Sequence, residues 1–122
     1  MNHFKNNLIF LWLPVILYAG IIFYFSSIPQ VSFPVSFPFM DKVLHLGEYA
    51  IFGVLLARAM KMTFQFDDIR KLFLSVLLIA FIYGISDEIH QGFVPGRTVS
   101  IFDAISDGFG GLIGAIIFRW RR

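Results

Sequence analysis

Three short stretches of an apolar chain carry most of its acids and imidazoles. DKVLHLGEY at residues 41–49, YGISDEIHQ at 83–91 and SIFDAISDGFGGLIG at 100–114 each read with a helical period. Asp41, His45 and Glu48 fall at i, i+4 and i+7 and share a face, with Tyr49 beside them. Tyr83 and Asp87, with His90 or Gln91, continue one face of the second stretch, and Gly84 and Glu88 lie on the adjacent one. Asp103 and Asp107 are four residues apart, and Gly110, Gly111 and Gly114 continue roughly the same stripe. Carboxylates together with imidazoles can move protons or hold a divalent cation. Lys42 or Arg97 would suit a phosphate, the guanidinium in a bidentate manner.

Each of these groups also has a plain structural reading. Asp103 follows Ser100 by three residues, so the two could form a capping box at a helix start. Asp41 and Lys42 could be an interfacial ion pair, and Arg97 could neutralise nearby acids. A lone His45 or His90 could be a hydrogen-bonded structural residue. Tyr49 and Tyr83 fit an interfacial aromatic belt or helix packing equally well. The set says more than its members, because all of them fall at one end of long apolar runs.

Those runs define the fold class. The chain has 122 residues, 57% hydrophobic, 15% charged and with 16 Phe, and its mean hydropathy is +0.75. So few charges cannot clothe a small soluble domain, which has much surface per unit volume. Lipid is the expected solvent. Four uncharged or nearly uncharged runs, at about 8–25, 43–60, 72–89 and 101–118, are each long enough to span, a run of 18 residues rising about 27 Å. Pro14 is tolerable inside the first, which reads as a retained span because no small-x-small cleavage site follows Phe25. The segment 26–40 carries Pro29, Pro34 and Pro38 and is expected to lie at the membrane interface as something other than a continuous helix. KMTFQFDDIRK is expected to be a short polar turn. The loops are too short for a second domain, so residues 1–122 read as one all-α four-helix membrane bundle.

Lys and Arg set the orientation. Lys5, Arg58, Lys61, Arg70, Lys71, Arg119, Arg121 and Arg122 fall on one side of the four runs, and only Lys42 and Arg97 on the other. The positive-inside rule then places both termini in the cytoplasm and the HQGFVPGR loop outside. The same placement accounts for the pI near 9.2 without nucleic acid as a partner. The chain has no cysteine, which excludes disulfides, thiolate metal sites and a catalytic thiol.

At these residues the sequence resembles the VanZ-like family of small bacterial membrane proteins. The resemblance rests on Asp41, Lys42, His45 and Tyr49; on Asp87, Glu88, His90, Gln91, Phe93, Pro95 and Arg97; and on Ser100 and Asp103 leading into a Gly-rich helix. Ser26, Ser27 and Pro29 add to it. Where the family pattern would have Asn four residues after the motif Asp, this chain has Asp107. The resemblance implies a multi-pass protein of the bacterial cytoplasmic membrane with a cell-envelope role, associated in the founding member with low-level teicoplanin resistance. It names no reaction.

The site residues leave three kinds of function open. One is an enzyme on a lipid-linked envelope substrate, with His45, Asp87, Glu88 and His90 doing acid–base or metal-assisted hydrolysis and Asp41, Lys42, Tyr49, Gln91, Arg97, Asp103 and Asp107 binding substrate. The mixed oxygen and nitrogen set would suit Mg2+, Mn2+ or Zn2+ and selects none of them; no serine nucleophile motif or H-x-x-E-H-type spacing is present. The second is a non-enzymatic binder or transporter that holds a polar headgroup, peptide or cation at the outer face, or relays protons through Glu48, Asp87 and Asp107. The third is a polar network that only fixes helix register. The reading favoured is an outward polar pocket for an anionic envelope component, with membrane lipid and a lipid-linked envelope precursor as the expected partners.

Overall fold

A computed structural model describes the backbone of residues 2–28, 40–96 and 99–120, and side chains in 7–28, 43–96 and 99–120. Its elements are four helices, α1 (Asn2–Ser26), α2 (Met40–Phe64), α3 (Ile69–Gln91) and α4 (Ile101–Trp120), with no strand among the described residues. All four are long and apolar enough to cross a membrane, as the hydropathy pattern requires. The Pro-rich stretch expected at the membrane interface falls mostly at 29–39, outside the described residues.

The helices overrun the apolar stretches at their ends. α2 continues through Lys61 to Phe64 and α3 begins at Ile69, so the expected polar turn of 61–71 shrinks to Gln65–Asp68. Long cationic side chains permit this, since their stems stay on the apolar helix while their charges reach water. Lys61 lies 5.9 Å over the Phe118 ring, and Arg58 4.6 Å over Phe10. Gln65, in the left-handed region at φ 52°, reverses the chain.

Asp68 starts α3 three residues before the apolar run does. It is an extended N-cap (φ −133°, ψ 125°) whose Oδ1 accepts from Arg70 N at 2.9 Å, while the Arg70 guanidinium donates to Oδ2 at 3.0 Å. These bonds, the guanidinium's foremost, hold the Asp68 carboxyl below its ordinary value of 3.8. A lowered pKa in the folded chain means that the cap's support is complete above 3.8 and fades as pH falls below it. Hydrogen exchange of the first-turn amides of α3, corrected for intrinsic rate, is expected to show constant protection from neutral pH down to that value and a decline beneath it. The same decline in Asp68→Asn would assign it elsewhere.

α4 packs chiefly against α2 and α3, while α1 leans on α2 and meets α3 at fewer places. The α2–α4 seam is the tightest part. A Cβ on Gly110 would lie 2.7 Å from the Leu46 carbonyl oxygen, and one on Gly53 would overlap that of Gly111. The two backbones therefore touch, as the Gly-x-x-x-Gly spacing leads one to expect. Ile22, Tyr49, Phe52, Leu56, Leu72 and Val76 form the middle of the core, and Tyr49, Phe52 and Tyr83 make an aromatic group with centroids 5.4–6.3 Å apart. The side chains left outside are large and apolar, among them Phe10, Ile16, Leu17, Ile82, Ile89, Phe102 and Phe109. Such a surface is stable against acyl chains and not against water.

Candidate functional site

The C-terminal ends of α1 and α3 and the N-terminal ends of α2 and α4 meet at one end of the bundle, and the buried ionisable groups are there. His45 Nδ1 lies 2.8 Å from Asp107 Oδ1, both side chains buried. An ionised carboxylate only accepts, so Nδ1 carries the shared proton and Nε2 looks to the far side of the ring. Asp107 turns inward because α4 presents its glycine stripe to the bundle. Its carboxylate also needs the bare Cα of Gly84, where a Cβ would come within 2.7 Å of Oδ2.

Glu88 joins this pair from α3. Its Oε2 accepts from Ser100 N at 3.0 Å. In a capping box that amide is bound by the acid three residues on, here Asp103. The bond from the Glu88 carboxylate of α3 ties the start of α4 to α3. Asp103 is buried in the first turn of α4, where the helix N-terminus favours negative charge. Single ligand atoms of His45, Glu88 and Asp107 all lie within 4.8 Å of one another.

On the other side of His45 is a cleft of about 60 Å³, lined by Ile22, Phe25, Ser26, His45, Glu48, Asp87 and Gln91. Gln91 Nε2 donates to Asp87 Oδ2 at 3.4 Å. The cleft suits water or a small ion and is far smaller than a drug-sized ligand site. A larger hollow of about 500 Å³ lies at the opposite end, among Asn7, Leu8, Phe10, Leu11, Arg58, Met62, Thr63 and Phe118. Among the described residues that lining offers no acid or imidazole.

The sequence-predicted residues separate into groups. His45, Asp87, Glu88, Gln91, Asp103 and Asp107 are all buried at the polar end. His90 stands apart: it is half-buried, its Nε2 2.7 Å from Ser27 Oγ and its ring stacked on Phe23 at 4.1 Å. It ties α3 to α1. Tyr49 is wholly buried against Phe52, so helix packing rather than an aromatic belt explains it, and Tyr83 donates its hydroxyl to the Ala19 carbonyl. Asp41 and Lys42 lie in the first turn of α2; their side chains, and Arg97 altogether, fall outside the described residues. Two contributors lie beyond the predicted site residues. Ser26 lines the cleft with an Oγ that has no hydrogen-bond partner, and its place in the Ser-Ser-x-Pro stretch is the available signal. Tyr18 donates to the Glu48 carbonyl oxygen at 2.9 Å, a contact without any sequence signal.

Four membrane-length helices enclosing a buried His–acid cluster define a polytopic helical membrane protein with a polar core at one end. A family model described as VanZ/LLP1 matches residues 3–122, and the chain belongs to that family. No curated protein and no solved structure matches it. The resemblance read from Asp41 through Asp103 is thereby established as membership.

Proposed function

We propose that the chain holds an anionic, phosphate-bearing cell-envelope component at the outer face of the bacterial cytoplasmic membrane, with its polar end against the His45–Asp107 pair. The observation that carries this reading is that three helices each bury an ionisable group at one point. Charges inside a span cost several kcal/mol on insertion scales and are seldom kept without use. Asp107 orients the imidazole through Nδ1 and leaves Nε2 as the atom that would take or give a proton, the arrangement general acid–base chemistry requires. The headgroup would rest above the cleft rather than in it, given the cleft's size. Lys42 and Arg97, at the same end by sequence, are the cations that would meet its charge.

A second reading has its own support. The Glu88–Ser100 bond helps to close the start of α4, as it would in a purely structural network. The two readings part in Glu88→Gln and His45→Asn, each scored for membrane abundance and, separately, for teicoplanin susceptibility and envelope integrity. Normal abundance with loss of the phenotype is expected. A phenotype that only ever falls with abundance would leave the structural reading in place. Purified protein is expected to bind a polyprenyl phosphate, and failure of the intact chain to do so would overturn the proposal. A topology reporter inserted at Gly96 is expected to score outside the cytoplasm, and a cytoplasmic score would reverse the orientation.

A further inference from the structure

Two carboxylates at the centre of the cluster each keep one oxygen that meets no donor. Glu88 is 4% exposed and Asp107 0%. Glu88 Oε1 and Asp107 Oδ2 have no hydrogen-bond partner, while the sister oxygens are bound by Ser100 N and His45 Nδ1. A buried polar atom left in this way costs about 1–3 kcal/mol, more for a charged group. One ligand atom from each of these two carboxylates and one from the His45 imidazole, contributed by a third helix, lie within 4.8 Å of one another and form a donor set for a positive ion.

We propose that His45, Glu88 and Asp107 form a site for one divalent cation of the Mn2+ or Zn2+ class. The inference deepens the reading above, resting on the cluster being a functional pocket. The imidazole weighs against Ca2+ and Mg2+, which favour all-oxygen cages, and the absence of thiolates weighs against softer ions. Ligands about 2.1 Å from an ion sit roughly 3–4 Å apart, so the 4.8 Å spread closes by a modest side-chain movement. The ion would take a ring nitrogen of His45 and an oxygen each of Glu88 and Asp107, and the neutral imidazole keeps its single N–H: on Nδ1 if Nε2 is the ligand, moved to Nε2 if Nδ1 is. The ion then supplies the positive charge that a phosphate needs beside so many acids.

The test uses the purified full chain in detergent, stripped with chelator and free of lipid phosphate. Titration with Mn2+ followed by electron paramagnetic resonance is expected to show one ion per chain, with a nitrogen coupling that vanishes in His45→Gln. Zn2+ should displace Mn2+ where equal Ca2+ does not. Glu88→Gln, with helix content verified by circular dichroism, should weaken binding at least about tenfold, whereas Asp67→Asn in the α2–α3 turn should not. Absence of stoichiometric binding by the intact chain, bound Mn2+ without nitrogen coupling, or unchanged affinity in a folded Glu88→Gln would each overturn the site. If Glu88→Gln does not fold, the nitrogen coupling of the intact chain decides. A negative result here leaves polyprenyl phosphate binding untouched, and the reverse also holds, so the two proposals fail separately.

Discussion

Gly114→Ala is expected to remove most of the folded protein from the membrane. The added Cβ would overlap the Ala50 carbonyl oxygen and lie 2.7 Å from Val54 N. Both are backbone atoms of α2, so no rotamer change relieves the clash and the helices must part. Overpacking a core costs typically about 1–3 kcal/mol, and a seam made of two backbones belongs at or above the top of that range. The measurement is the thermal midpoint in detergent, with Gly20→Ala as the comparison. A methyl at position 20 would meet only open space, and alanine there gains up to about 1 kcal/mol of helix propensity. Equal midpoints for the two variants would show that α2 and α4 do not meet as described.

The second large effect is expected at Asp107. Asp107→Leu takes away the acceptor of His45 Nδ1 in a buried setting, and breaking a buried pair from one side costs about 3–5 kcal/mol. Asp107→Asn keeps an oxygen in nearly the same place and should cost about 1–2 kcal/mol, in the range of one hydrogen bond. Asn differs from Asp by charge and little in shape, so the pair of variants separates geometry from charge. If both unfold alike, negative charge at position 107 holds the fold. If neither does, the His45 contact is incidental.

Much of this can be read from the residues. The four helices follow from hydropathy, because a span must be about twenty apolar residues long, and the inward turn of Asp107 follows from the glycine stripe it shares. What escapes are choices made by packing across helices. His90 sits in the same DEIH stretch as Glu88, yet two residues of helix turn it about 200° away, and only the position of α1 decides that Ser27 and Phe23 receive it. The amide of Ser100, which a motif would pair locally, also meets Glu88 on another helix, and no local pattern announces that. Helix ends also run several residues past their apolar stretches, since snorkelling cations hide where a helix stops.

The touching backbones of α2 and α4 have a consequence for how the protein meets membranes of different thickness. Mismatch between a span and its bilayer is absorbed by tilt, and tilt is easiest where contacts are few. α1, lying mainly on α2, can lean as lipids thin or thicken. The gap from His45 to Asp107 is ruled by main chain against main chain and keeps its length, so the imidazole and its acid travel between lipid compositions as a fixed gauge.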